Sequence, residues 1–313
     1  MKEDTAFELS TGLFTLEQLK ETDLDTYDSF YLGNPFCSSY RGNLSLTEKD
    51  LREASLILKD RGKYFYLTTH AAPRGRDLEE VKRICNRAME RGAKAVEFHN
   101  MGVLYLASRE FPEIPLHGGS FANIYSLVTA NLLEEYGVKR ILPNVEVSLD
   151  EMEMIREGSE LEVSLSLHGK MPLGIVPDCF FLEGAGKEES CPEACLTPAW
   201  LKTKLWEIKH VGKGLYSGLD LCLIEHLGDI VARGFRHFRI ESGYEESSYR
   251  NEIGRIYREG IQFALEKNFK FQEKWGAILG NHSKKGFCNG YLFGKSGRVY
   301  CGQSGEEIPS PLW

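Results

Sequence analysis

The sequence predicts an α/β protein built as a closed (β/α)8, TIM-like barrel, and three observations carry that reading. Eight short runs rich in β-branched and aromatic residues recur along the chain. Amphipathic segments with helix start and stop signals alternate with them. With 313 residues and 42% hydrophobic content, there is ample apolar material for one large core. A doubly wound open sheet is the competing architecture of the same class.

The candidate strands span residues 7–10, 29–33, 64–68, 95–99, 115–119, 140–144, 163–169 and 237–241. Each ends in a polar or glycine-containing segment, as strands do. Between them, Asp77 with Glu80 and Ser148 with Glu151 have capping-box spacing. Gly62, Gly92, Gly137, Gly158 and Gly234 stand where helices should stop. The segment 77–88 carries apolar residues at helical spacing, which makes Cys85 a small core residue. After the eighth run, 249–267 reads as a closing helix. The glycine- and aromatic-rich tail from Asn281 reads as a hairpin flanked by Cys288 and Cys301. The chain, 1–313, is thus expected to be a single barrel domain with an insertion over 170–236 and a tail over 281–313.

That insertion is far longer than a connecting helix requires, and it contains Cys179, Cys191, Cys195 and Cys222, the last expected to open the helix before the eighth strand. An insertion after a barrel strand belongs to the C-terminal face, where barrel enzymes place their chemistry.

Composition narrows the function. Lys plus Arg number 38 and Asp plus Glu 46, a net charge of -8. The balance disfavours RNA held mainly by phosphate contacts and favours a small molecule or a protein partner. No apolar run approaches the roughly 20 residues of a membrane span. The acidic, polar Met1-Lys2-Glu3-Asp4-Thr5 is unlike a signal peptide. Both features predict a cytoplasmic protein, in which eight cysteines are not expected to be structural disulfides.

Several familiar motifs are missing. There is no His-Glu-x-x-His helix, no Gly-x-Ser-x-Gly elbow and no glycine-rich dinucleotide fingerprint. The stretch from Gly290 to Ser296 resembles a phosphate loop but has three spacer residues where four are required. The informative pattern is Cys179-x11-Cys191-x3-Cys195. Thiolates four residues apart can share one side of a turn, and an ion there would order a polar insertion. Scattered buried cysteines are the plain alternative. Zinc and an iron–sulfur cluster both accept four thiolates. The fourth would be Cys37, after the second strand, or Cys222.

Three histidines end candidate strands: His99, His117 and His168. They are the candidate catalytic residues, expected to face one cavity at the strand ends, although structural hydrogen-bonded histidines are common. Arg74, in a loop with Arg76 after the third strand, offers a fork for a carboxylate, against the plainer reading of a solvated loop. Glu241, at the end of the eighth strand, is the second candidate substrate contact.

The stretch Glu162-Val163-Ser164-Leu165-Ser166-Leu167-His168-Gly169, followed by Pro177-Asp178-Cys179, resembles the signature of peptidase family U32. So do Gly234 to Glu241, with the downstream Ile256-Tyr257-Arg258, and the tail from Ser283 to Tyr291. The departures are Pro172 at the first signature cysteine, Lys285 in place of an arginine, and Ser242-Gly243 in place of Gly-Arg. A lost signature cysteine with an early one in compensation is similar to the UbiV-type subunit of oxygen-independent ubiquinone hydroxylation. That resemblance implies a 4Fe-4S cluster on Cys37, Cys179, Cys191 and Cys195, with Cys222 as the alternative ligand. It also implies hydroxylation of a small aromatic or quinone precursor, prephenate as oxygen donor, and a homologous subunit as partner. The family's older label implies a collagenase-like peptidase. RNA-base hydroxylation and a non-catalytic, zinc-stabilised subunit are the other readings.

Overall fold

The computed structural model describes residues 6–37, 42–176, 179, 199–204 and 206–311, without the side chain of Arg76. Eight parallel strands close a barrel: β1 Glu8–Leu13, β2 Ser29–Leu32, β3 Tyr64–Thr68, β4 Val96–Phe98, β5 Leu116–Gly118, β6 Val138–Ile141, β7 Glu162–Ile175 and, after the insertion, His237–Glu241. The last of these pairs with both β7 and β1, and so removes any open edge. The closed barrel is the fold that the alternation of strands and helices predicts, and the open sheet is excluded.

Helices follow the strands in turn. They are α1 Leu16–Glu21, α2 Glu48–Asp60, α3 Leu78–Arg91, α4 Met101–Glu110, α5 Leu127–Glu135, α6 Leu149–Gly158, α7 Leu227–Ala232, α8 Ser247–Leu265 and α9 Glu273–His282. Ser148 and Glu151 cap α6 reciprocally, as their spacing predicts. Asp77 and Glu80 do not. The Asp77 carboxylate instead accepts the Arg74 backbone N–H at 2.7 Å, because a 3-10 turn, Gly75–Asp77, precedes α3. Gly62, Gly92, Gly137 and Gly234 have positive φ, whereas Gly158 remains helical and ends α6.

Strand alternation sets the polarity of the barrel. Leu9, Phe30, Phe65, Val96, Leu116, Ile141, Leu165, Phe238 and Ile240 join the core that packs strands on helices. The intervening residues, among them Glu8, Tyr31, Tyr66, Glu97, His117, Arg140 and Arg239, fill the inside. This is a barrel with an ionic interior.

The insertion rises from the C-terminal rim on a sheet of its own. The 14-residue β7 overruns the barrel and pairs antiparallel with β10 Gly214–Cys222. Next come β9 Glu207–Val211 and β8 Ala199–Lys202, all antiparallel. Cys222 therefore closes a strand and does not open a helix; a 3-10 turn at Ile224–His226 and α7 follow it. With the insertion's strands numbered, the eighth barrel strand, His237–Glu241, is β11. Asn281 lies within α9, so the tail departs from the barrel later than expected. It adds β12 Phe287–Cys288 parallel to β10, then a hairpin of β13 Tyr300–Cys301 and β14 Glu307–Ile308. Gly290–Phe293 is a 3-10 turn and Lys295 Nζ bonds the Gly305 carbonyl at 2.8 Å, an arrangement unlike a phosphate cradle.

Candidate functional site

At the C-terminal mouth of the barrel lies a small cavity of about 30 Å³. Its polar lining comes from Thr68, His99, Arg239 and Glu241, and its apolar lining includes Phe14, Phe36, Phe121, Tyr216 and Tyr244. A space of that size has room for a water molecule and none for an aromatic ring.

The polar groups form one network. Glu97 is 1% exposed, and its Oε1 accepts Arg239 Nη1–H at 2.5 Å. Its Oε2 accepts from the Thr68 hydroxyl and stands 3.2 Å from His99 Nε2. Burial alone would raise the Glu97 carboxyl, but Arg239 and His99, with the Thr68 hydroxyl, hold it well below the usual carboxylate range. Arg239 also lies 3.3 Å from Glu241 Oε1 and stacks over the Tyr31 ring, 4.3 Å from its centroid. The guanidinium thus sits between two carboxylates and an aromatic face. His99 Nδ1 accepts the Phe121 backbone N–H at 3.4 Å, which leaves the proton on Nε2, toward Glu97. Gly119 allows this: a Cβ there would lie 2.2 Å from the His99 ring.

The roof of the cavity is aromatic. Phe36 packs edge-on to Phe121 at 5.2 Å and to Tyr216 at 5.3 Å, and Tyr216 meets Tyr244 at 4.4 Å. One layer deeper, Tyr31 Oη is 3.0 Å from His117 Nδ1, and the Tyr66 ring is 4.6 Å from the His117 ring. Arg140 reaches Glu8 with two bonds of 2.8 Å and forms the barrel floor.

The expected common histidine cavity is therefore not what forms. His99 and Glu241 line the mouth, while His117 lies beneath it against Tyr31 and Tyr66. His168 faces the opposite way, toward α8, with Nδ1 3.1 Å from Tyr257 Oη. The cause is a β-bulge. Ser166 pairs with Arg239 but His168 pairs with Ile240, so Leu167 is the extra residue and His168 turns outward with Ile240. Arg74 is exposed and outside the cavity lining. Its place is taken by Arg239, which sequence reasoning missed along with Glu97. Their signal was present: a charged residue at the alternate position of an otherwise apolar strand, in Val96-Glu97-Phe98 and Phe238-Arg239-Ile240.

Three of the five candidate metal ligands, Cys37, Cys179 and the alternative Cys222, can be placed. The loop carrying Cys37 is tied by Asn43, whose Oδ1 accepts the Asn34 N–H at 3.0 Å and whose Nδ2 bonds the Cys37 carbonyl at 3.3 Å. A Cβ built on Gly212, in the β9–β10 turn, would be 3.5 Å from Cys37 Cβ. The same turn holds the strand leading to Cys179, because Val176 N–H donates to the Lys213 carbonyl at 2.9 Å. Cys179 is buried and Cys37 half-buried. Cys191 and Cys195 lie outside the described residues. Cys222 is fully buried beside Tyr257 Oη, 3.5 Å away, and burial pushes its thiol up to about 12. Among the described residues, no three His, Cys, Asp or Glu side chains are grouped to hold an ion.

The chain is 25% identical over 252 residues to the 23S rRNA 5-hydroxycytidine C2501 synthase of Escherichia coli, covering 79% of this chain and 38% of that protein. It is 25% identical over 193 residues to the tRNA hydroxylation protein P of Escherichia coli, covering 60% of this chain and 43% of the relative. The chain thus spans about two fifths of the length of these relatives. In fold it is similar to a DHDPS from Cyanidioschyzon merolae, with TM-score 0.51 at 9% identity, over 88% of this chain and 80% of the other. The profile of peptidase family U32 matches residues 14–300, nearly the whole barrel with its insertion, and the chain belongs to that family.

Proposed function

We propose that this chain is an iron–sulfur component of an oxygen-independent hydroxylation, of the UbiV type, acting on a small aromatic or quinone precursor beside a homologous family subunit. The observation that carries the proposal is the shared turn: Cys37 and the strand leading to Cys179 both meet Gly212–Lys213, next to Phe36 of the cavity lining. Cys37, Cys179, Cys191 and Cys195 would hold a 4Fe-4S cluster, which supplies one-electron chemistry when bound. Thiolates from a loop and an insertion suit such a soft-ligand site, and Cys222, packed against α8, suits it less.

This chain's own residues support the electron-carrying half of a pair. Arg239 is already engaged by Glu97 and Glu241, so an incoming dicarboxylate such as prephenate would compete with both. Phe36, Phe121, Tyr216 and Tyr244 put an apolar layer over the mouth, and Phe36 leads directly into the Cys37 loop. The partner subunit is the better place for the substrate and its oxygen donor. An RNA base is the second substrate reading, favoured by the likeness to a 23S rRNA 5-hydroxycytidine synthase and a tRNA hydroxylation protein.

The test is anaerobic purification with iron, sulfide and zinc analysis and a visible spectrum. A brown protein with about four irons and four sulfides is expected. Cys37→Ala and Cys179→Ala should lose both, and Cys222→Ala should keep them. A colourless protein with one zinc per chain would overturn the cluster. Iron lost in Cys222→Ala but kept in Cys37→Ala would reverse the ligand set.

A further inference from the structure

A second polar site lies outside the barrel, between the β7–β10 ribbon and α8. On the ribbon, His168 pairs with Cys222 and Lys170 with Asp220, so these four side chains share one face. Tyr249 and Tyr257 of α8 cover it, with ring centroids 5.9 and 5.3 Å from that of His168.

The hydrogen bonds fix the histidine's tautomer. Tyr257 Oη accepts the Leu223 backbone N–H at 3.2 Å, which leaves its own proton to donate. His168 Nδ1 at 3.1 Å is a better acceptor than the Cys222 sulfur at 3.5 Å. His168 therefore carries its proton on Nε2. That N–H is fully buried and has no partner among the described residues. Asp220 Oδ1 and Tyr249 Oη are buried and unpartnered in the same way. The other Asp220 oxygen is taken by Lys170 Nζ at 3.1 Å. Asp220 lies within electrostatic reach of both His168 and Tyr249.

Three buried groups from β7, β10 and α8, unpartnered among the described residues, thus face one seam between ribbon and helix: one donor, one acceptor, and one hydroxyl that can be either. A cation would oppose the Nε2–H and the Lys170 ammonium, and an anion would oppose the Asp220 carboxylate. The occupant must be neutral and both accept and donate. We infer that this site binds one internal water molecule, which accepts from His168 Nε2–H, donates to Asp220 Oδ1 and bonds the Tyr249 hydroxyl. Three bonds are the usual complement of a buried water. The water ties the insertion's ribbon to α8, and His168 acts as a positioning residue for it.

The test uses the full chain labelled with 15N-histidine, the His168 signals being those lost in His168→Gln. The expected spectrum shows the Nε2–H tautomer with a dipolar cross-peak from that proton to water. An Nδ1–H tautomer, or no water cross-peak, would overturn the inference. A coupling measurement guards against misassignment. Tyr249→Phe and Asp220→Asn should each lower the denaturation midpoint, and the double variant should fall by clearly less than their sum. Strict additivity would mean that no shared water joins them.

Discussion

Arg239 and Glu97 meet across the barrel from strands on opposite sides of it, with Nη1 2.5 Å from Oε1. Both side chains are almost wholly shielded from water, and the pair joins the Thr68, His99 and Glu241 groups into one unit. A buried ion pair gains little over apolar packing, but breaking it strands a charge.

Arg239→Leu should therefore destabilise the fold by about 3–5 kcal/mol in urea unfolding. Adding Glu97→Leu should recover much of that loss, because no buried charge then remains unpaired. If the double variant is less stable than Arg239→Leu alone, the pair is not the source of the effect.

Acid should act in two stages. Burial pushes His117 down to about 3, with Arg140 adding to it, and burial pushes His168 down to about 4. Both are depressed below the ordinary 6.5, so between 6.5 and about 4 the unfolded chain binds more protons than the folded one. Stability is then full above 6.5 and falls as pH drops through that window. Glu97 is held low by Arg239, and Glu8 by His237 and Arg140, against burial that would raise both. Their contribution is present above the ordinary carboxylate value of 4.5 and is lost below it. Denaturation midpoints from pH 7 to 3 should fall throughout, and Glu97→Gln should flatten the part below 4.5.

Gly169 has φ +116°, and a Cβ there would lie 2.3 Å from the Glu241 carbonyl oxygen. Gly169→Ala should cost more than about 1 kcal/mol. Gly174→Ala, on the same strand with nothing within 4 Å, is the control and should be nearly neutral. Equal losses in the two variants would rule out the clash.

Cys85 on α3, Cys288 on β12 and Cys301 on β13 are each fully buried. Their alanine variants should retain the wild-type iron content and show lowered thermal midpoints only. Iron loss in any of the three would bring that cysteine into the ligand set.

The order of strands and helices was legible in the sequence because its signals are local. Alternating polarity in Phe238-Arg239-Ile240 marks a half-buried strand wherever it lies, and Ser148 with Glu151 caps a helix without distant help. The insertion was legible from the length of the interval between the seventh and eighth strands, far more than a connecting helix requires. Which polar residues share a site is a matter of register between strands far apart in the chain. Strict alternation along Ser164, Ser166 and His168 puts the histidine inside the barrel with the serines. A single extra residue at Leu167, imposed by pairing with β11, turns His168 out to Tyr257 and leaves the mouth to Arg239 and Glu241. A one-residue slip exchanges the faces of a strand, and only the closed barrel decides where that slip occurs.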